Sequence, residues 1–227
     1  SMICWFNLSF KPTIGDWRSG AHINFSMTST KDNKNIFEGE NGKFSNQAYH
    51  AVGGLIKHGT SLTAIACSTV NSYNGLVPIV GGFEGGVYTW APTTMGYGDN
   101  NRSCMLRLPQ NRFCIENRAA DMCMNPYLSL AMTTASVIDG IKNKIDPGEP
   151  LNINLYTLSP EEMEASNIKS LPRNLLEAIE ALNEDDFARE VLGDSMLLQF
   201  FSYKKDEWDR YHQAVTDWEV QEFLRLY

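Results

Sequence analysis

The sequence predicts an α+β fold, and three observations predict it. Two short segments alternate polar and apolar residues with a period of two. Residues 45–66 and 125–145 place apolar side chains at helical spacing, and nearly everything beyond residue 149 reads as helix. In the segment 20–28, His22, Asn24, Ser26 and Thr28 share one parity, with Ile23, Phe25 and Met27 between them. In the segment 112–118, Arg112, Cys114, Glu116 and Arg118 oppose Phe113 and Ile115. Each is a strand with one buried face. The other face carries imidazole, carboxylate and guanidinium groups, which bind metal ions and anions. That face is either ordinary wet surface or the lining of a site.

Taken in order, residues 3–10 alternate loosely and are predicted as a strand, with a loop over 12–17. The strand bearing His22 follows, then a polar, turn-rich loop over 30–43. Ser45 can cap a helix running to about residue 66, with Ala51, Leu55, Leu62 and Ile65 as its buried stripe. His50 and His58 lie on it as surface or core imidazoles. Residues 71–99 read as a glycine-rich loop punctuated by Pro78 and Pro92, matching neither a P-loop nor a dinucleotide fingerprint. Residues 103–108 form a strand and 111–117 its hairpin partner across Pro109-Gln110. A long helix starts at Asn125-Pro126 and ends near residue 145, before Asp146-Pro-Gly148. Helices are predicted at 160–166, 173–182, 185–192 and 194–225, the last with a break. Leu175, Ile179 and Leu182, then Phe187 and Val191, are spaced to bury one side, while Trp208, Tyr211, Val215, Trp218 and Phe223 suit core or subunit contact.

The 227 residues suffice for one substantial domain, or one domain with an appendage. No apolar run approaches the length of a membrane span, which excludes a membrane partner. Five scattered cysteines, never spaced as CxxC, argue against a disulfide framework or zinc ribbon and fit a reducing cytoplasm. Cys114, on the polar face, is a nucleophile or a small packing residue, and no base is visibly paired with it. Residues 149–227 hold 17 acidic and 7 basic side chains, against 10 and 12 in residues 1–148. An acidic chain without a basic stripe is a poor nucleic-acid binder. The mildly basic first part could receive a small anion.

Six ordered motifs resemble the C-terminal catalytic part of the glutamine synthetase family. They are Gly15-Asp-Trp17 with Ser19-Gly-Ala-His-Ile-Asn-Phe-Ser26, Asn71-Ser-Tyr73 with Leu76-Val-Pro78, Asn101-Arg-Ser-Cys-Met-Leu-Arg-Leu-Pro109, Ile115-Glu-Asn-Arg118, Asn125-Pro-Tyr-Leu128 and Asp139-Gly-Ile-Lys-Asn-Lys-Ile-Asp-Pro-Gly148. Thr89-Trp-Ala-Pro92 with Gly96-Tyr-Gly-Asp-Asn-Asn-Arg102 is similar to the branch containing γ-glutamylmethylamide synthetases. The resemblance implies a curved antiparallel sheet, part of the family's catalytic barrel, backed by helices. Residues 3–148 would be the C-terminal part of the catalytic domain and 149–227 a helical extension of it. The family's N-terminal β-domain and first catalytic stretch would be absent, making this a truncated piece, folded but inactive alone.

The implied chemistry is ATP-dependent joining of glutamate, or a similar carboxylic acid, to ammonia or a small amine through an acyl phosphate. By position, His22 and Glu116 would ligate Mg²⁺ or Mn²⁺. Arg102 and Arg118 would hold the acyl phosphate or substrate carboxylate, with Arg107, Asn24 and Ser26 on the nucleotide side. Guanidiniums suit this work because they bind oxyanions bidentately and stay charged. The full-length parent would be a cytoplasmic homo-oligomer. Three positions depart from the family. Gly75 stands where many relatives carry a carboxylate-binding arginine. Trp17-Arg18 replaces small residues of a substrate loop. Counting back from Arg102, the flap base falls on Trp90, and Glu84 offers a carboxylate only after a six-residue shift. These departures keep open an alternative, a catalytically silent structural or regulatory relative.

Overall fold

The computed structural model describes residues 20–77, 79–80 and 87–224. The predictions for residues 3–10 and 12–17, together with Trp17, Arg18 and Glu84, lie outside the described residues. The strands are β1 (Ala21–Phe25), β2 (Ile79–Val80), β3 (Val87–Tyr88), β4 (Thr94–Asp99), β5 (Cys104–Leu108) and β6 (Ile115–Ala120). The α-helices are α1 (Asn46–Lys57), α2 (Gly59–Ala66), α3 (Val70–Gly75), α4 (Pro126–Asn143), α5 (Pro160–Ala165), α6 (Leu175–Glu184), α7 (Asp186–Leu192), α8 (Asp194–Gln213) and α9 (Asp217–Phe223).

Four strands form an open sheet in the order β1-β6-β5-β4, and β2 pairs with β3 in a separate two-stranded sheet. β1 with β6 and β6 with β5 run antiparallel as expected, but β4 and β5 run parallel, so the sheet is mixed. Parallel neighbours ordinarily need a long crossover. Here the short segment 100–103 makes the return, pinned by Asn101. Its amide nitrogen donates to the Ile153 carbonyl at 2.9 Å, and its amide oxygen accepts from the Ser103 amide at 3.0 Å. The outer edge of β4 is covered, since Met95 donates to the Lys169 carbonyl at 2.8 Å, Leu171 to Thr93 at 2.9 Å and Leu151 to Tyr97 at 2.7 Å. Covering an edge in this way removes a template for unwanted strand pairing.

The stretch read as one glycine-rich loop contains α3 and β4. A reciprocal cap explains α3, since Thr69 and Ser72 each accept the other's backbone N–H. The pattern hid β4 because Gly96 and Gly98 break its alternation. Leu151 packs where their side chains would stand. The predicted helix over 45–66 is capped by Ser45, whose hydroxyl accepts from the Ala48 amide at 3.2 Å, but it breaks at His58. There the imidazole turns inward to Asp139 on α4, Nε2 to Oδ2 2.9 Å, and stacks on Phe187 with centroids 3.6 Å apart. That tertiary anchor outweighs continuation of the helix. His50, on α1, faces the Ile145 carbonyl at 3.3 Å.

Leu55, Leu62 and Ile65 from α1 and α2 meet Leu106 and Leu108 from β5 and Leu175, Ile179 and Leu182 from α6 in one core. Burying each such side chain stabilises the fold by about 1.5–3 kcal/mol. Phe187, Val191 and Trp208 pack against its margin, whereas Tyr211, Val215, Trp218 and Phe223 are exposed. The predicted break in the last helix falls between α8 and α9. Among the described residues no helix is long and apolar enough to cross a membrane.

Helices α1 and α4 touch backbone to backbone. A Cβ on Gly54 would overlap the Ser136 carbonyl oxygen, and one on Gly140 the His50 carbonyl oxygen. Glycine-to-alanine in an ordinary helix interior stabilises by about 0.5–1 kcal/mol. Gly54→Ala should do the reverse, lowering stability in urea unfolding by about 1–3 kcal/mol through overpacking. A stabilised Gly54→Ala variant would contradict this contact.

Candidate active site

The polar face of the sheet assembles the site. Asn24 on β1, Glu116 on β6 and Arg107 on β5 are direct cross-strand partners and form one row across three strands. In the next row Ile23, Asn117 and Leu106 are all buried. Period-two alternation therefore sorts chemistry to one side and core to the other. The β1–β6 register shifts between Ala21 and Ile23, so a bulge lies opposite His22. Bulges redirect side chains and recur beside functional sites.

Glu116 is the hub. Its side chain is only 4% exposed, yet it meets three cationic or potentially cationic groups. Oε1 lies 2.9 Å from His22 Nδ1 and 3.0 Å from Arg118 Nη1, and Oε2 lies 2.5 Å from Arg107 Nη1. Burial pushes the Glu116 carboxyl toward protonation. The Arg107 hydrogen bond and the charges of Arg118, His22 and Arg107 outweigh burial and hold it below its usual value. The group therefore stays ionised at neutral pH.

Each guanidinium is fixed by further acceptors. Arg107 donates from Nε to the Asn100 side-chain oxygen at 2.9 Å, and its Nη2 reaches the same oxygen. Arg118 donates from Nη2 to the Trp90 carbonyl at 3.1 Å and from Nε to the Arg102 carbonyl at 3.4 Å. Burial lowers the Arg118 pKa; Glu116 opposes that, while the like charges of Arg102 and Arg107 add to it. Three guanidiniums are thus close enough to act on one another, with one carboxylate among them. A surplus of positive charge on a partly buried face favours an oxyanion ligand.

Asn24 accepts from Arg112 Nη2 at 2.9 Å and from the Cys114 thiol at 3.8 Å. Burial pushes the Cys114 thiol up, so it is protonated at neutral pH, which fits the packing role and not the nucleophile. Ser26 lies just past the end of β1, exposed on the same parity. Gly75 closes α3 and is buried. Sequence reading missed the contributions of Asn100 and of the Trp90 carbonyl. The Asp99-Asn-Asn101 run was a turn signal for the first, while backbone conformation at Trp90 leaves no mark on side-chain pattern.

His22 and Glu116 offer one nitrogen and one oxygen donor to a divalent cation, and both are suitable chemically. Among the described residues no group of three or more metal-binding side chains exists. Hard cations take six or more ligands, so this pair fits a metal only as part of a larger set.

A family model described as "Glutamine synthetase, catalytic domain" matches residues 6–223. The glutamate–methylamine ligase of Methyloversatilis universalis is 41% identical over 223 residues, covering 96% of this chain and 49% of that protein. A glutamine synthetase of Methanosarcina mazei is 39% identical over 221 residues, covering 95% and 47%. The solved structure of a GmaS/ADP complex superposes with a TM-score of 0.82 at 37% identity, covering 96% of this chain and 49% of that one. Apo GmaS gives 0.76 at 34% identity, covering 96% and 48%. The chain spans about half the length of the relatives it matches.

Removing the hub should expose its structural weight. Glu116→Ala leaves buried cationic groups without their counter-charge and is expected to cost about 3–5 kcal/mol in urea unfolding. A loss below about 1 kcal/mol would mean that solvent already screens the cluster.

Proposed function

The chain belongs to the glutamine synthetase catalytic-domain family, and on that premise we propose that it is part of an ATP-dependent carbon–nitrogen ligase. The proposed substrates are glutamate, or a similar carboxylic acid, and ammonia or a small amine such as methylamine. The observation that carries this reading is the cluster of His22, Arg107 and Arg118 on the buried carboxylate of Glu116, with Arg102 beside Arg118.

In the first step a γ-carboxylate oxygen of glutamate attacks the terminal phosphorus of ATP. A new P–O bond forms, the bond to the bridging oxygen breaks, and ADP leaves. In the second, the amine nitrogen attacks the acyl carbon, the C–O bond to phosphate breaks, and the nitrogen's surplus proton passes to a base. Both steps concentrate negative charge on phosphoryl oxygens, and fixed donors lower such barriers by being oriented beforehand. Arg107, with Asn24 and Ser26, is assigned to the nucleotide phosphates. Arg102 and Arg118 are assigned to the transferring phosphoryl group and the substrate carboxylate, and Glu84 to proton removal from the amine. Glu116 pairs with both Arg107 and Arg118 and so restrains them, which reduces the reorientation needed when the anion arrives.

His22 and Glu116 would hold Mg²⁺ or Mn²⁺, with ATP oxygens, water and residues beyond those described completing the shell. A bound cation of this kind draws charge from phosphate oxygens. With the set incomplete, the 227-residue chain alone is proposed to be inactive. The active form is proposed to be a cytoplasmic homo-oligomer of the full-length protein, organised as residues 3–148 of the catalytic domain with 149–227 as its helical extension. Gly75 favours a second reading, because the buried end of α3 carries a glycine where many relatives carry a carboxylate-binding arginine. That reading is a changed acid substrate or a silent structural relative.

The full-length polypeptide, supplied with ATP, Mg²⁺, glutamate and methylamine or ammonia, should sustain ADP release and form a γ-glutamyl amide over many turnovers only when acid and amine are both present. Arg118→Ala should lower kcat by about 10²–10³, the usual loss when one oriented oxyanion donor is removed. No ADP with any acid–amine pair would favour the silent relative.

A further inference from the structure

Among the described residues, Arg118 donates from Nη1 to Glu116 at 3.0 Å, from Nη2 to the Trp90 carbonyl at 3.1 Å and from Nε to the Arg102 carbonyl at 3.4 Å. Each terminal nitrogen of a guanidinium carries two N–H groups, so each keeps one for a ligand. Which edge is left open depends on where those acceptors stand. Glu116 lies two residues away on the same strand, but the Trp90 carbonyl comes from 28 residues earlier and has to be held in place. It is held from the far end of its own peptide unit. A peptide unit is planar and trans, so its C=O and N–H point in opposite directions, and fixing one fixes the other. The unit that carries the Trp90 carbonyl carries the Ala91 N–H, which donates to the Thr89 hydroxyl oxygen at 3.1 Å. That hydroxyl gives its own hydrogen to the Val77 carbonyl, which leaves a lone pair for Ala91. A hydroxyl accepting from the amide two residues on forms a local turn. The turn holds Trp90 at φ 56°, which a bulky residue keeps only where its surroundings over-determine it. The Tyr156 hydroxyl donates to the Ala91 carbonyl, and Ala91 is fully buried, so the next unit is anchored too.

We propose that Thr89 is a positioning residue for the transfer step: its hydroxyl sets the plane of the Trp90–Ala91 peptide, and the carbonyl of that peptide aims Arg118. The inference rests on the ligase reading above, in which Arg118 holds the transferring phosphoryl group or the substrate carboxylate. A donor lowers such a barrier only while it stays directed at the place where charge develops. Without the Thr89 hydroxyl the peptide turns, its carbonyl leaves Nη2, and the guanidinium swings about its remaining contact with Glu116. The device uses only the backbone of Trp90. The competing reading is a turn that serves stability alone, and it predicts that Thr89 acts independently of Arg118.

Steady-state kinetics on the full-length protein separate these readings, with ATP, Mg²⁺, glutamate and methylamine or ammonia as substrates. Thr89→Val removes the hydroxyl at nearly constant shape and should lower kcat about tenfold, with KM for ATP within about twofold of wild type. Thr89→Ala loses the same hydroxyl without branched bulk and should fall with it. Thr89→Ser keeps the hydroxyl and should hold kcat within about threefold of wild type. In an Arg118→Ala background Thr89→Val should change kcat by less than about twofold, because the donor it positions is gone. Unchanged kcat in Thr89→Val and Thr89→Ala, or an undiminished loss with Arg118 already removed, overturns the assignment and leaves the ligase reading standing. A wild-type protein that releases no ADP with either amine overturns the ligase reading and this inference with it.

Discussion

A single buried carboxylate decides what this sheet face can be. Glu116 is nearly sealed from water, and an isolated charge in that position would be expensive. His22, Arg107 and Arg118 make it tolerable, and each comes from a different strand. The ion cluster therefore ties β1, β5 and β6 together on their polar side, as the apolar row ties them to the helices on the other. It also sets the charge of the face, because one anion does not balance Arg102, Arg107 and Arg118. The remaining positive charge suits the face to an anionic ligand rather than to a neutral structural knot.

Much of this was legible in residue order. Alternation in 20–28 and 112–118 separated His22, Asn24, Glu116 and Arg118 from Ile23, Phe25 and Ile115, and the sheet keeps those residues on opposite sides. Ser45, Asn125-Pro126 and Gly193 marked helix boundaries through local capping, which depends on neighbours in sequence. What stayed hidden depends on residues distant in sequence. The strand containing Gly96 and Gly98 reads as loop until Leu151 is placed against it. The break at His58 needs Asp139, 81 residues away. The backbone at Trp90 is held by Val77, Tyr156 and Arg118, all distant in sequence, acting through Thr89, Ala91 and the Trp90 carbonyl.

The charge distribution also acquires a reason. Most acidic side chains of the last third lie on α5–α9, where Lys204–Glu207, Lys205–Asp209 and Arg210–Asp206 form pairs along α8. The first is largely buried, whereas the exposed Lys205 and Arg210 pairs add little stability and chiefly keep a helix surface solvated. The clustered guanidiniums of Arg102, Arg107 and Arg118 sit in the earlier part, on or beside one sheet. Segregation of sign thus separates the arginine-bearing sheet face from a wet helical layer, on whose last helix Trp218 and Phe223 are exposed.

A double-mutant cycle between Glu116 and Arg118, read by urea unfolding of the chain, tests the central claim most directly. The account predicts that Glu116→Ala and Arg118→Ala are strongly non-additive, with a coupling of about 1.5 kcal/mol or more, as for a buried, hydrogen-bonded ion pair. A coupling indistinguishable from zero would contradict it, because the two groups would then be independent and the face would owe its arrangement to something other than this carboxylate.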